Sequence, residues 1–273
     1  MTEPLPPSMR GLSDSRPALA VILARAGSKG VPGKNRAPVA GKPCVRWTID
    51  HALASTAVGL VVVSTDDPAI IDIARTARVL CARRSEPLAG DTATVDSAAR
   101  ECLAQLRSAD LLGDDHALAA ARASTPRIAD PRTPIAVLYG NVPVRPANLT
   151  DRALRLLIST ACDSVQSYAP VGKHHPWWTA RLDSDSGAVR PWEGDILNHN
   201  VFRRQDLPPA YIPDGGTLCV TRRALQHEIP GVPPGPHAFF GLDRRGVRTA
   251  EGEVIDIDSH TDLLVADALL RKA

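Results

Sequence analysis

The sequence predicts an α/β fold, a mostly parallel sheet with helices on both faces, and three observations carry that expectation. Short apolar runs alternate with amphipathic stretches along the chain, the pattern that βαβ units leave in a sequence. The runs are short and rich in valine, isoleucine and leucine, as strands covered on both faces are. The first run leads directly into a glycine-rich loop bearing lysines, at the carboxyl end of a strand, where sheets of this class gather ligands.

Taken in order, segments 19–24, 60–64, 135–139, 164–168, 216–220 and 254–257 read as strands. Helices are expected at 44–54 after Pro43, at 68–77 with Pro68 in the first turn, and at 94–106, 149–159 and 260–271. Residues 107–132 have helical character only around 114–122, between polar and proline-rich flanks, and read as an excursion from the sheet. Residues 1–17 mix prolines with polar residues and hold no apolar run of signal-peptide length, so they read as a disordered tail. The rest, 18–273, reads as one domain. Within it, 172–213 gathers Trp177, Trp178 and Trp192 with His174, His175, His199 and several prolines, and suits a small lobe or dimerisation arm better than a core layer. Adjacent histidines diverge, so His174 and His175 are not read as metal ligands.

Composition narrows the function classes. A chain of 273 residues is long enough to bury a substantial core. Its five cysteines are odd in number, scattered and without a CxxC pair, which points away from a disulfide framework or zinc ribbon and toward buried thiols in a reducing cytoplasm. The net charge is only +2 and the basic residues are dispersed, so no nucleic-acid surface is expected. No segment approaches membrane-spanning length, so no membrane partner is expected either.

Chemistry concentrates in LAVILARAGSKGVPGKN, residues 19–35. Gly27, Gly30 and Gly33 let the backbone turn so that successive N–H groups face inward, and Arg25, Lys29 and Lys34 add charge that neutralises phosphate. The spacing is neither that of a Walker loop nor GxGxxG. On composition alone it is a phosphate cradle or a glycine-rich surface turn. Near the other end, Asp256 and Asp258 alternate in VIDIDS; on a strand both would share one face, about 7 Å apart at Cα. Two such carboxylates suit Mg²⁺, which takes one or two of them plus phosphate oxygens and water. Asp258 or Ser259, with Asp262, also fits the N-cap of the final helix.

At this point a resemblance becomes specific. ARAGSKGVPGKN (24–35), GKPCVRWTIDHAL (41–53), VVVSTDDPAI (61–70), ARRSEPLAGDTAT (82–94), RRQDLPPAY (203–211) and VIDIDSHTDL (254–263) together resemble the cytidylyltransferases that activate nonulosonic acids, the CMP-N-acetylneuraminate synthetase family. The matches run in order over nearly the whole chain beyond residue 17. The resemblance implies a Rossmann-like nucleotide-diphosphosugar transferase fold, CTP and an acidic sugar as substrates, Mg²⁺, pyrophosphate release, and a homodimer in which an arm of one subunit covers the other's site. It implies that Arg25, Ser28, Lys29, Lys34 and Asn35 hold the triphosphate, with Arg84 beside the cytidine half and Asp91, Thr92 and Thr94 along base and ribose. Thr94 is equally placed to cap a helix. Tyr139, Asn141, Arg204, Gln205 and Asp214 fall on the sugar side, with Asp206 as an orienting group. Arg25, Lys34, Asp256 and Asp258 form the expected catalytic set, the cations stabilising charge that builds on the leaving pyrophosphate and the carboxylates holding metal.

The chain departs from the family pattern on the sugar side. Tyr139 stands where the family has glutamine, Ile212 and Asp214 where it has arginine and asparagine, and Leu218 where it has tyrosine. The activity expected is transfer of CMP from CTP to the anomeric hydroxyl of a nonulosonic acid. A cytidylyltransferase for another 2-keto sugar acid, such as 3-deoxy-manno-octulosonate, and a catalytically degenerate CTP-binding homologue stay open beside it.

Overall fold

A computed structural model describes residues 6–27 and 29–272. β1 (Ala18–Leu23) leads through the glycine loop into a ribbon of β2 (Pro38–Val39) and β3 (Lys42–Pro43), then α1 (Cys44–Ala54) and β4 (Val58–Thr65). Next come α2 (Pro68–Thr76), β5 (Leu80–Arg83), the single turn α3 (Glu86–Ala89), α4 (Val95–Ser108) and α5 (Asp115–Ala129). The second half runs β6 (Pro134–Tyr139), α6 (Leu149–Thr160), β7 (Ser164–Pro170), the hairpin β8 (Ala180–Leu182) and β9 (Val189–Pro191), and β10 (Tyr211–Thr221). It closes with the short α7 (Arg222–Leu225), β11 (Arg244–Arg248) and α8 (His260–Lys272).

Seven strands form the main sheet in the order β11-β7-β10-β6-β1-β4-β5. Every pairing is parallel except those of β10 with β6 and β7, so the expected mostly parallel sheet is what forms. All six residues of β1 and all eight of β4 are buried, because helices cover both faces and their uniform apolar runs have no solvent side to present. Side chains start the helices where the sequence places them: Asp67 accepts from Ala69 N at 2.9 Å, Thr94 from Ser97 N at 3.3 Å and Asp114 from Ala117 N at 2.8 Å.

Four expectations need correction. The strand expected at 254–257 does not form; only an isolated bridge joins Ile255 to Val144, just past β6, and the edge strand of the sheet is β11 instead. That edge strand, RRGVR, was invisible to an apolar pattern, since Val247 is its only buried residue and three of the other four are arginines. The excursion expected at 107–132 is instead α5, which runs through Pro126 and packs beside α4 as part of the covering layer. Nor is the segment before β1 a free tail over 6–17. Met9 is fully buried, Gly11 N donates to Gly59 O at 3.1 Å and Leu12 N to Ser124 Oγ at 2.9 Å, so this stretch seals one end of the sheet. Residues 1–5 lie outside the described residues. Finally, β5 was not expected, its four residues being too short a run to stand out.

A second, small apolar cluster lies apart from the main core. Val31, Val39, Cys44, Ile257 and Ala266 are buried together, with Trp47, Val144, Ile255, Leu263 and Leu270 against them. It draws the glycine loop, the β2–β3 ribbon, the 255–257 segment and α8 to one place. Ala40 N donates to Asp267 Oδ1 at 2.7 Å and ties the ribbon to α8.

Candidate functional site

Beyond β1 the chain leaves the sheet and is fastened at each end of the loop. Ala26 N donates to Asp66 Oδ1 at 2.8 Å, and the buried Asn35 donates through Nδ2 to Arg25 O at 2.8 Å, so Asn35 holds the loop closed. Its backbone carbonyl then accepts from Val45 N at the start of α1. Two glycines are required by close approach. A Cβ on Gly30 would stand 2.1 Å from the carbonyl oxygen of Asp258, and one on Gly140 would stand 2.8 Å from Asn35 Oδ1 and 2.9 Å from Ala24 Cβ. The loop is thus pressed onto the segment that carries the two aspartates.

Between them opens a cleft of 370 Å³ at the carboxyl ends of β1 and β6. Arg25, Lys29, Lys34 and Arg84 line it with Asp91 and Asp258, and Thr94 brings in the amino end of α4, whose free N–H groups favour an anion. Leu88, Val95 and Ala98 give one apolar wall. Arg25 Nη1 lies 2.9 Å from Asp91 Oδ1, Lys29 Nζ 2.8 Å from Asp91 Oδ2, and Lys34 Nζ 2.5 Å from Asp258 Oδ1. Lys29 and Arg25 hold the Asp91 carboxyl below the usual carboxylate range. Arg84 is buried at the cleft floor, donating to Ser64 Oγ at 3.2 Å and Ser64 O at 3.1 Å; burial lowers its pKa, opposed by Asp66.

The aspartate pair is held by loop pairing rather than by a strand. Ile255 N donates to Val144 O at 3.1 Å and Ile257 N to Asn141 O at 2.9 Å, while Asn141 Nδ2 donates to Asp256 Oδ1 and, at 3.2 Å, to Ile257 O. Burial, then the charge of Asp258, raises the Asp256 pKa to about 6 against the pull of Lys34 and Arg145. The amino end of α8 is closed by the expected capping box: Ser259 Oγ accepts from Asp262 N at 3.2 Å, and the Asp262 carboxylate accepts from Ser259 N at 2.7 Å and Asp258 N at 3.1 Å. Asp258's carboxylate is therefore spared from capping and faces Lys34. Among the described residues no group of three or more His, Cys, Asp or Glu side chains forms a self-sufficient metal cage. In chemistry, two carboxylates beside a lysine-bearing glycine loop would fit a cation that takes its remaining ligands from phosphate and water.

This arrangement has known counterparts. The cytidylyltransferase family profile matches residues 19–116, the stretch that builds the loop, Arg84, Asp91 and Thr94. The chain is 33% identical over 174 residues to a CMP-N,N'-diacetyllegionaminic acid synthase of Legionella pneumophila, covering 63% of this chain and 66% of that protein. It is 26% identical over 251 residues to an N-acylneuraminate cytidylyltransferase of Streptococcus agalactiae, covering 90% of this chain and 51% of that protein. The chain belongs to the cytidylyltransferase family. It spans between about half and two thirds of the length of these relatives. Among solved structures, a CMP:2-keto-3-deoxy-manno-octonic acid synthetase complexed with CTP superposes with a TM-score of 0.62 at 17% identity, covering 93% of this chain and 98% of that one. A 4-diphosphocytidyl-2C-methyl-D-erythritol synthase does so with 0.61 at 14%, covering 94% and 100%. These two similarities speak for a shared fold.

For this cytidylyltransferase-family chain, the cleft gathers Arg25, Lys29, Lys34, Asn35, Arg84, Asp91, Thr94, Tyr139, Asn141 and Asp258, and Asp256 stands behind Asn141. Ser28 lies outside the described residues. Three residues expected on the sugar side, Asp214, Arg204 and Gln205, stand outside the cleft within this chain. Asp214 is occupied within the β10 bulge, accepting from Ser167 Oγ, from Gly216 N at 2.9 Å and from Thr249 Oγ1 at 2.5 Å, so its carboxylate holds the turn together instead of facing a ligand. Arg204 and Gln205 sit on a 3-10 turn of the 172–213 lobe, outside the cleft, with Arg204 paired to Glu251. The departures at Ile212 and Leu218 fall away as well: Ile212 is solvent-exposed and Leu218 is buried in β10. Asp206 pairs with Arg203 at 2.6 Å.

Two residues of the site escaped the sequence reading. Asp66 fastens the loop at Ala26 N, and its only signal was adjacency to the cap Asp67 in STDDP. Arg145 donates through Nη2 to Tyr139 O at 3.3 Å, while its Nε and Nη1 are buried without a hydrogen-bond partner. Burial pushes its pKa down to about 10, and the charges that resist include Asp256 and Asp214. It supplies positive potential from beneath the aspartates, and a lone arginine in VPVRP gave no periodic signal for that.

Proposed function

We propose that this chain is a Mg²⁺-dependent CMP-sugar synthetase that transfers CMP from CTP to the anomeric hydroxyl of a nonulosonic acid. The observation that carries the reading is the closure of the phosphate loop onto the aspartate pair, with Gly30 against the Asp258 carbonyl and Lys34 on the Asp258 carboxylate. Arg25, Lys29 and Lys34 bind the triphosphate and stabilise the charge that develops on departing pyrophosphate. Arg84, Thr94 and the wall of Leu88 and Val95 receive the nucleoside. The anomeric oxygen forms a bond to the α-phosphorus as the bond to the β-phosphate bridging oxygen breaks; pyrophosphate leaves and the hydroxyl proton passes to water. When bound by Asp256 and Asp258, Mg²⁺ supplies charge neutralisation of phosphate oxygens and a more acidic nucleophile. Asn141 orients Asp256 for that purpose, and Arg145 limits the cost of holding two carboxylates together.

The acceptor class rests on the relatives, one a diacetyllegionaminic acid synthase and another an N-acylneuraminate cytidylyltransferase. We read the 172–213 lobe as the arm of a homodimer, which would bring Arg204 and Gln205 to the partner's acceptor sugar. In support, Leu182, Trp192 and Phe202 are exposed there, Phe202 by 85%, a concentration of large apolar surface that a partner would cover. Five buried free cysteines favour a reducing compartment, the cytoplasm, and among the described residues no helix is long and apolar enough to cross a membrane. The test is pyrophosphate release by the purified chain with CTP, Mg²⁺ and a panel of N-acetylneuraminate, diacetyllegionaminate, pseudaminate and 3-deoxy-manno-octulosonate. Turnover of a nine-carbon acid in preference to the eight-carbon one is the expected result. CTP binding without turnover of any acceptor would overturn the enzyme reading. Light scattering on the same preparation checks the dimer.

A further inference from the structure

The three loop cations are already neutralised, and the two carboxylates that do so differ in what ligand binding does to them. Lys34 rests on Asp258; a cation arriving at Asp258 replaces the ammonium and frees Lys34 for phosphate, so opening that pair is compensated. Asp91 has no such replacement. One of its oxygens takes Arg25 and the other takes Lys29, and no other ion pair of Asp91 exists among the described residues. Asp91 lies on the turn between α3 and α4, lines the cleft and is about half exposed. Arg25 is steadied in the same direction by donating to Ala89 O, at the end of α3, at 3.4 Å.

We propose that Asp91 is a built-in competitor for phosphate: its carboxylate sits on Arg25 and Lys29 where nucleotide phosphate oxygens bind, so it weakens triphosphate binding and speeds departure of pyrophosphate. This rests on the reading of the loop as the triphosphate site, and it inverts the role that the family resemblance implies for this residue. A phosphate that takes both cations leaves Asp91 facing it as an unpaired like charge. The carboxylate must then swing toward solvent, which its exposure allows. A residue that only contacted ribose would have no reason to bridge both loop cations with both of its oxygens. The benefit to a nucleotidyltransferase is release: cations strong enough to stabilise the leaving group would otherwise retain it, and an internal anion returns to them as pyrophosphate departs.

The experiment is calorimetric titration of the full chain with inorganic pyrophosphate, without metal or sugar, at low and at high salt. Wild type, Asp91→Asn and Asp91→Ala are compared after their thermal melts establish that all three fold. The expected result is affinity raised about five- to tenfold in both variants, as removal of one partly exposed like charge near the ligand predicts. The gain shrinks at high salt, where exposed charges are screened. In turnover the KM for CTP falls and pyrophosphate becomes a stronger product inhibitor. Equal or weaker pyrophosphate binding in the variants overturns the proposal while leaving the loop as the phosphate site. Weaker CTP binding with pyrophosphate binding unchanged overturns it in favour of a nucleoside contact. If wild type and variants all fail to bind pyrophosphate and CTP, the triphosphate reading falls together with this one.

Discussion

Two cavities lie at opposite ends of the same sheet, and both are lined by basic side chains. The cleft at the carboxyl ends of β1 and β6 measures 370 Å³; the other, against Pro134 at the start of β6 and Thr221 at the end of β10, measures 470 Å³ and carries Arg127, Arg132 and Arg223. Size and residue type would favour the larger one. Backbone dipoles decide otherwise. The cleft receives the amino end of α4, whereas the larger cavity receives the last turns of α5 and α6, at Arg127 and at Leu157 and Ile158. Helix carboxyl ends carry partial negative charge, and arginines there offset it. Arg127 and Arg223 are further occupied by Asp14 at 2.8 Å and Asp163 at 2.9 Å. Cations at a helix carboxyl end stabilise the fold; those beside a helix amino end and a glycine loop are paired too, but with the cleft-lining Asp91 and Asp258, where an anionic ligand can compete for them.

Substitutions at each end sharpen or break this contrast. The largest effect is expected from Asp256→Asn, which should lower kcat/KM about 10²–10³-fold, the scale of losing one electrostatic anchor in an active site. The same change should raise stability at neutral pH. The folded-state pKa of Asp256, about 6, lies above its ordinary value of 3.8, so the unfolded chain loses this proton first as pH rises. The wild type is thereby destabilised progressively between pH 3.8 and about 6, and remains so above. Melting curves should show Asp256→Asn higher at pH 7.5 by about 2–4 °C, the shift that about 1 kcal/mol gives in a chain of this size. Below pH 3.8 the gain should be absent. The same pKa predicts that Mg²⁺ affinity of the wild type, followed calorimetrically, falls as pH drops below about 6. Gly30→Ala comes next. Its Cβ cannot coexist with the Asp258 carbonyl, and displacing the loop by about 1 Å should lower kcat/KM by about 10²-fold in the pyrophosphate assay. Thr94→Ala should cost about 1 kcal/mol of stability through loss of the α4 cap, seen in urea denaturation. Arg132→Ala, in the larger cavity, should leave turnover within about twofold and stability within about 0.5 kcal/mol, as surface substitutions do. A large loss of activity there would refute the division drawn between the two ends.

The same contrast explains what the sequence made legible. The phosphate loop could be read because its glycines follow a uniformly apolar strand, a local pattern that the fold preserves. The identities of Asp256 and Asp258 were legible while their conformation was not: period-two alternation suggested a strand, but Ile255 and Ile257 point into the small second cluster and their N–H groups pair with the chain just past β6. β11 and α5 were hidden for opposite reasons, one being a charged edge and the other carrying Pro126 inside a helix. The hydrogen bonding of Asp214 was not legible because its partners, Ser167 and Thr249, lie far away in sequence and only the fold brings them together. Met9 buries itself with no periodicity at all, and a single residue leaves no pattern to find.

The small cluster of Val31, Val39, Cys44, Ile257 and Ala266 gives the molecule two units of unequal strength. Five buried residues close the glycine loop against the aspartates, while β1 and β4 belong to a far larger apolar body. Local opening free energies follow the amount of buried contact, so amide protons of α8 and the glycine loop should exchange well before those of β1 and β4. Function would then be lost in denaturant ahead of the fold. A nucleotide that grips the loop and, through its cation, the aspartates joins the weak unit to the strong one, and its binding energy becomes stability for the part of the protein that has least of its own.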